Sequence, residues 1–202
     1  MACPDLSLVY LIRHGETEWT LSGRHTGRTD VPLTKQGEED AVRLRERLGG
    51  EHFVKVFSSP RQRARLTCEL AGFGPMMELD DDLQEWDYGD HEGRRTIEIQ
   101  SEQPGWNLFR DGCPNGETLE QVAARADRVV ERVRQAEGNV ALFSHGHFLC
   151  VLTARWLRLP PIEGRRFVLN AATVSTLGYE HHNLEEPALV LWNDGRHLPK
   201  KR

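Results

Sequence analysis

An arginine and a histidine stand side by side where the first apolar segment of this 202-residue chain ends. Arg13 and His14 follow residues 6–12, a short run that fits a pleated surface, and Gly15 closes it, as expected for a buried strand. A guanidinium offers a planar fork of donors that fits a phosphoryl group, and imidazole is a nucleophile that titrates near neutral pH. The pair predicts phosphoryl chemistry on His14, although a single histidine is more often structural than catalytic.

A second histidine repeats this arrangement later in the chain. His145 follows residues 140–144, which indicate another buried strand, and it precedes Gly146 as His14 precedes Gly15. If the two strands are neighbours in one sheet, both histidines lie at the edge where open α/β sheets bind ligands. Chance explains one such arrangement more easily than two.

A cation and an acid complete the set of candidates. Arg63 lies in the helix predicted after strand 53–57, with Pro60 suited to the first turn, and such a helix start presents free N–H groups and a positive dipole to an anion. A solvated charged face is the ordinary alternative for the arginines of this turn. Glu85 is followed closely by two aromatic residues, and burial against their rings favours a protonated carboxyl near neutral pH.

These candidates require a scaffold of alternating strands and helices. A helix capped by Thr34 is predicted to end at residues 49–50, and Thr118 is the expected cap of a long amphipathic helix. The remaining predicted elements are strand 76–79, helix 119–135, helix 148–157, strand 173–179 and strand 188–192. The alternation predicts an α/β fold: a mostly parallel central sheet with helices on both faces and the candidate residues at its C-terminal edge.

Composition and charge limit the classes of function. The formal net charge is −5 with no basic block, which gives no indication of nucleic-acid binding. No apolar run is long enough for a transmembrane helix, and the N-terminus lacks the features of a signal peptide, so we expect a cytoplasmic protein with no membrane partner. The length suits one domain over residues 1–202, in which the turn-rich segment 86–117 forms a small cap.

The cysteines and the paired histidines show no pattern typical of a metal or redox site. The cysteines form no C-x-x-C pair and are expected to be free thiols. The histidine pairs lack a carboxylate or cysteine at ligand spacing, so we expect no metal. We expect the basic tail 199–202 to be frayed. The cysteines are Cys3, Cys68, Cys113 and Cys150, and the paired histidines are His145, His147, His181 and His182.

Residues 13–19, Arg-His-Gly-Glu-Thr-Glu-Trp, resemble the signature of the histidine phosphatase superfamily, which has the phosphoglycerate mutase-like fold. The second motif of the superfamily has an Arg that is followed by Ala and lies a few residues before a Thr. The sequence here resembles that motif at Arg63, which Ala64 follows and which precedes Thr67. The sequence around Glu85 resembles its general-acid loop. The resemblance implies a phosphatase that needs neither a metal nor another cofactor.

The same resemblance implies a role for each of five residues. His14 is the nucleophile that becomes phosphorylated, and Glu85 is the general acid and base. Three cationic side chains hold the phosphoryl oxygens and offset the charge that develops there. These are Arg13, Arg63 and a cationic His145.

Longer segments are similar to the fungal sedoheptulose bisphosphatase and its bacterial relatives. These segments are residues 22–27, 85–90, 110–118 and 180–189. The similarity implies a sugar-phosphate substrate such as sedoheptulose 1,7-bisphosphate. The residues expected to bind substrate are Thr20, Arg24, His25, Thr26 and Gly146.

Three positions depart from the patterns of related branches. Thr20 stands where many mutases have Asn, so a phosphate contact at this position can come only from a hydroxyl group. Gly146 stands where the acid-phosphatase branch has Asp, which favours Glu85 as the acid. Cys150 stands where relatives often have Arg. If that Arg binds a distal phosphate, this chain lacks the corresponding contact.

Two alternative functions remain open. A phosphoglycerate mutase-type phosphotransferase would use the same five residues, but this chain lacks the longer insertion that cofactor-dependent mutases carry before residues 116–118. A catalytically silent phosphate-binding module would have no need of both His14 and Glu85. The expected partner is a small phosphorylated molecule, and the sequence leaves the oligomeric state open.

Overall fold

Six strands form one sheet in the order β3-β2-β4-β1-β5-β6 in the computed structural model, which describes residues 6–199. The strands are β1 (Val9–Arg13), β2 (Phe53–Ser58), β3 (Met77–Leu79), β4 (Asn139–Ser144), β5 (Val174–Tyr179) and β6 (Pro187–Asp194). The first four are parallel to one another, β5 is antiparallel to β1, and β6 is antiparallel to β5. The mostly parallel sheet is confirmed.

Seven α-helices connect and cover the strands in the described part of the chain. They are α1 (Glu18–Ser22), α2 (Lys35–Leu48), α3 (Gln62–Leu70), α4 (Thr96–Glu102), α5 (Leu108–Asp111), α6 (Leu119–Arg134) and α7 (Gly146–Trp156). Thr34 and Thr118 cap α2 and α6 as predicted, each accepting a hydrogen bond from a backbone N–H of the first turn. The short helices α1, α4 and α5 were not predicted, because helices of this length are too short to show a clear helical periodicity in the sequence.

The two faces of the sheet pack against different helices. Successive side chains of a strand point to opposite faces, and in β1 Val9 and Leu11 join one buried cluster whereas Tyr10 and Ile12 join another. Residues of α6 and α7 complete the first cluster, and residues of α2 and α3 complete the second. The prediction of helices on both faces is confirmed.

The segment 86–117 contains α4 and α5 and contributes large side chains to the core. Trp86, Ile99, Trp106 and Phe109 belong to the same buried cluster as α6 and α7. Its status as a separate cap, and the single domain over residues 1–202, stay predictions. Among the described residues, no helix combines the length and the apolar character that crossing a bilayer requires. The cytoplasmic location stays a prediction.

Three cysteines are free thiols, as expected: Cys68, Cys113 and Cys150. Cys3 and residues 200–202, on which two further expectations fall, lie outside the described residues.

Candidate active site

His14 and His145 meet at the C-terminal edge of the two central strands. β1 and β4 are parallel, with Arg13 opposite Ser144, so the residues that follow the two strands are neighbours. The backbone N–H of His14 donates to the Ser144 carbonyl at 3.0 Å, and the centroids of the two imidazole rings are 5.2 Å apart. The predicted convergence of the two histidines is confirmed.

His14 is held as a neutral imidazole. Its Nδ1 lies 2.7 Å from the Gly15 carbonyl oxygen, and because a carbonyl can only accept, Nδ1 carries the hydrogen. Burial lowers the pKa of His14 well below its ordinary value, and the nearby charges of Arg63 and Arg13 lower it further. Nε2 therefore keeps a free electron pair at neutral pH, as a nucleophile requires.

The loop after β1 is fixed by close backbone packing. The Gly15 N–H donates to the Thr67 hydroxyl at 3.0 Å, and a Cβ on Gly15 would lie 2.5 Å from the Gly37 carbonyl oxygen in α2. Only glycine fits this approach. The orientation of the His14 ring therefore depends on the contact between the loop and α2.

Arg63 lies beneath the site and is fully buried. Its Nε donates to His145 Nδ1 at 3.2 Å. Its terminal nitrogens donate to three backbone carbonyls of one loop, those of Thr26, Gly27 and Thr29, at 2.9, 3.2 and 3.0 Å. The guanidinium thus joins α3 to the loop 26–29 and supports His145, and its positive charge stays close to both histidines.

His145 is neutral, and the expectation of a cationic side chain is wrong for this structure. Nδ1 accepts a hydrogen bond from Arg63, and the hydrogen is therefore on Nε2, which lies 2.8 Å from the Ser59 hydroxyl oxygen. Burial lowers the pKa of His145 well below its ordinary value, and the charge of Arg63 adds to this effect. A guanidinium bonded directly to the ring opposes a second positive charge.

Arg13 carries an unsatisfied donor at the site. Its guanidinium donates to the Leu169 carbonyl oxygen through Nη1, whereas Nε is buried and has no hydrogen-bond partner among residues 6–199. A Cβ on Gly146 would lie 3.3 Å from the Arg13 guanidinium, so Arg13 packs closely on the first residue of α7. An anion at this position would satisfy the free donor.

The Glu85 carboxylate is anchored to the N-terminus of α7. Its oxygens accept hydrogen bonds from the backbone N–H groups of His147 at 3.1 Å, Phe148 at 2.8 Å and Trp86 at 3.0 Å. Two of these donors belong to the first turn of the helix, where N–H groups lack partners within the helix. Glu85 is buried, as expected, and its protonation stays a prediction.

These residues surround a cavity of about 370 Å³. Eight of the ten predicted site residues line it: Arg13, His14, Thr20, Arg24, His25, Thr26, Glu85 and Gly146. The other two, Arg63 and His145, are fully buried and do not line it. A second cavity of about 580 Å³ shares Arg13 and Thr20, but neither His14 nor Glu85 lines it. The smaller cavity is therefore the candidate active site.

The family model described as histidine phosphatase superfamily (branch 1) matches residues 9–195. The chain belongs to the histidine phosphatase superfamily. This histidine phosphatase is 35% identical to sedoheptulose 1,7-bisphosphatase of Saccharomyces cerevisiae, with 90% of each chain covered. It is 41% identical to an acid phosphatase of Mycobacterium tuberculosis, with 85% of this chain and 86% of the relative covered.

The fold of this histidine phosphatase is also found in solved structures of the family. A Mycobacterium tuberculosis protein of 37% identity superposes with a TM-score of 0.87, covering 93% of this chain and 97% of the other. Together with the named phosphatase relatives, this makes the chain a phosphoric monoester hydrolase. The phosphoglycerate mutase-like α/β fold is confirmed.

Thr20 lines the cavity of the phosphatase, but its hydroxyl is already engaged. It accepts from the Thr17 N–H at 2.9 Å and donates to the Thr17 carbonyl at 2.8 Å. The first of these bonds is half of a capping box at the start of α1. Because the hydroxyl hydrogen is bonded to the Thr17 carbonyl, the structure argues against the expected phosphate contact of Thr20.

The segment Arg24–His25–Thr26 forms one wall of the cavity. The Thr26 hydroxyl donates to the Arg24 carbonyl at 3.1 Å, and the Arg24 guanidinium donates to the Gly93 carbonyl at 3.1 Å. The His25 ring packs on Tyr88, with ring centroids 4.8 Å apart. Burial lowers the pKa of His25 to about 4, so it is neutral at pH 7. The role of this wall in substrate binding stays a prediction.

Tyr88 and His147 are among the cavity residues of the histidine phosphatase that were not predicted as site residues. Tyr88 was considered only for its burial near Glu85, and His147 only as a possible metal ligand, yet both side chains line the cavity. The repeat His-Gly-His over residues 145–147 was the available signal. Cys150 follows one helical turn later and also lines the cavity. Burial raises the pKa of its thiol to about 12, so the position carries no charge.

Proposed function

We propose that this histidine phosphatase hydrolyses small phosphomonoesters, among them sugar phosphates such as sedoheptulose 1,7-bisphosphate, through a phosphohistidine on His14. The main support is the single hydrogen on the His14 ring: Gly15 holds it on Nδ1, which leaves Nε2 as the nucleophile. Burial and two arginines keep that ring unprotonated at neutral pH.

The proposed reaction has two steps. In the first, Nε2 of His14 attacks phosphorus, the bond to the alcohol oxygen breaks, and Glu85 gives its proton to that oxygen. In the second, water attacks the phosphohistidine, Glu85 takes a proton from the water, and inorganic phosphate leaves. His14 and Glu85 return to their starting protonation states, and no metal takes part.

Positive charge for the phosphoryl oxygens comes from several groups. Arg13 offers its free Nε, and the first turn of α7 adds the positive end of the helix dipole. Arg63 acts from below as a buried charge, because its donors are bonded to His145 and to backbone carbonyls. Neutral His145 adds neither a charge nor a free donor, because its one N–H is bonded to the Ser59 hydroxyl.

A sugar-phosphate substrate is supported by the 35% identity to the yeast sedoheptulose 1,7-bisphosphatase over 90% of each chain. The polar wall formed by Arg24, His25 and Thr26 is compatible with a hydroxylated leaving group. Cys150 stands where we expect related enzymes often to have arginine, and its thiol offers no charge to a second phosphate. Bisphosphates and monophosphates must therefore be compared directly.

The test is phosphate release from a panel of sugar bisphosphates, sugar monophosphates and 3-phosphoglycerate, with His14→Ala measured beside the wild type. We expect net release of phosphate by the wild type and none by His14→Ala. Preference for sedoheptulose 1,7-bisphosphate would support the bisphosphatase role. Interconversion of phosphoglycerates without phosphate release, or full activity of His14→Ala, would contradict the proposal.

A further inference from the structure

Tyr88 and His147 form a contact that the proposed reaction does not use. The Tyr88 hydroxyl oxygen lies 2.6 Å from His147 Nδ1, and both side chains line the cavity of His14 and Glu85. The rings of Phe109 and His25 also pack on His147, with centroids 5.8 and 6.0 Å away. These contacts hold the imidazole in one orientation.

The tautomer of His147 follows from the Tyr88 contact. Burial raises the pKa of Tyr88 well above its ordinary value, so the phenol keeps its hydrogen. Within residues 6–199, His147 Nδ1 is the one hydrogen-bond partner of that hydroxyl, and we assign Tyr88 as the donor because the reverse direction would leave the phenol hydrogen without an acceptor among these residues. Burial lowers the pKa of His147, and the neutral ring therefore carries its hydrogen on Nε2.

Nε2 of His147 is a donor without an assigned acceptor. Among the described residues its ring bonds to Tyr88 through Nδ1 alone, and Nε2 is not one of the fully enclosed atoms that lack a partner. The backbone N–H of the same residue donates to Glu85 at 3.1 Å. Because Glu85 and His147 are joined by this bond and both line the cavity, a leaving group whose oxygen meets Glu85 can reach the His147 ring.

We propose that His147, oriented by Tyr88, is a specificity-determining residue that donates a hydrogen bond from Nε2 to a hydroxyl of the leaving alcohol. The proposal rests on the proposed function, since it requires an alcohol leaving group in this cavity. It assigns the substrates to phosphomonoesters of polyhydroxylated alcohols, such as sugars and glycerol. An alcohol with no second oxygen leaves this donor unsatisfied, which lowers its transition-state binding.

Substitution of His147 by asparagine or by glutamine distinguishes the roles of its two ring nitrogens. An Asn amide reaches the position of Nδ1 and can still accept from Tyr88, but it falls short of Nε2. A Gln amide is one carbon longer and can place a donor near the Nε2 position. His147→Asn thus removes the proposed donor and His147→Gln restores one, while the backbone N–H that anchors Glu85 is present in both.

The experiment compares kcat/KM for glycerol 3-phosphate and n-propyl phosphate, which have the same chain length and differ in two hydroxyl groups. We expect the wild type to prefer glycerol 3-phosphate, His147→Asn to lose ~10-fold of that preference, and His147→Gln to retain most of it. Tyr88→Phe should lose a smaller part, because the tautomer is no longer fixed. His182→Asn, at an exposed position, is the control and should keep the wild-type preference.

Several results would overturn the proposal. A wild type with no preference between the two esters would do so, as would an unchanged preference in both His147→Asn and Tyr88→Phe. Equal slowing of both esters in His147→Asn would assign Nε2 to the phosphoryl group instead. Failure of the proposed function looks different, because His14→Ala would then continue to release phosphate from both esters.

Discussion

Single hydrogen atoms determine what the residues of this site can do. A carbonyl oxygen fixes the hydrogen of His14 on Nδ1, and a guanidinium fixes that of His145 on Nε2. Two neighbouring histidines therefore have opposite tautomers and neither is charged. The difference leaves Nε2 of His14 free as a nucleophile and bonds Nε2 of His145 to Ser59, and it follows from the group that each Nδ1 contacts.

Replacing Glu85 tests its proposed proton transfer at the residue scale. Glu85→Gln can still accept through one oxygen, but it cannot donate a proton to a leaving alkoxide. We expect kcat/KM for an alkyl phosphate to fall by about 10² to 10⁴. The fall for p-nitrophenyl phosphate should be much smaller, because p-nitrophenolate leaves without protonation. Phosphate release from both esters gives the comparison, and equal slowing of the two would contradict the acid role.

At the scale of elements, the first turn of α7 organises the site. Its N–H groups hold Glu85, its first residue, Gly146, gives room to Arg13, and His147 lines the cavity. The turn lies where β4 ends, next to the end of β1. The ends of the two adjacent strands β1 and β4 therefore position the proposed acid Glu85, the cation Arg13 and the nucleophile His14.

The close backbone contact between α2 and the loop after β1 predicts that adding a side chain there lowers the stability of the protein. A Cβ on Gly37 would lie 2.2 Å from the Glu16 carbonyl oxygen. Gly37→Ala should therefore reduce the free energy of unfolding by about 1–3 kcal/mol, although alanine is the better helix former. Urea denaturation measures the change.

Gly50→Ala is the matched control for this contact, since a Cβ at Gly50 meets nothing within 4 Å. Its free energy of unfolding should stay within about 0.5 kcal/mol of the wild type. Similar stabilities of Gly37→Ala and Gly50→Ala would show that the backbone contact is not a constraint.

At the scale of the whole molecule, the buried neutral histidines link folding to pH. The pKa values of four histidines around the site are lowered, chiefly by burial: His14, His25, His145 and His147. Unfolding exposes them to water, where a histidine has a pKa near 6.5. Below that pH the unfolded chain binds protons that the folded chain does not, so the protein loses stability as the pH falls.

His25 gives this effect a magnitude. With a folded pKa of about 4, its contribution is fully present above pH 6.5 and is lost as the pH falls towards 4. Between pH 6.5 and 4.5 this amounts to about 2 kcal/mol. Urea denaturation at each pH should show that His25→Gln loses less stability over this range than the wild type. His182→Gln, at an exposed position, is the control, and a wild-type slope in His25→Gln would refute the linkage.

The sequence alone determined the features that depend on local pattern. Apolar runs located β1, β2 and β4, the cap residues Thr34 and Thr118 located α2 and α6, and the strand ends placed His14 and His145 at one edge. These predictions succeeded because strand pleating, capping and parallel pairing act over a few residues or follow from general rules of sheet topology.

The tertiary structure decided the charges and partners of the same residues. Arg63 and His145 are 82 residues apart in the chain, and Tyr88 and His147 are 59 apart. No local period encodes such contacts, so the neutral state of His145, the buried position of Arg63 and the free donor of His147 were not predicted. The protonation state of a buried side chain depends on the groups that it contacts, and long-range packing determines those contacts.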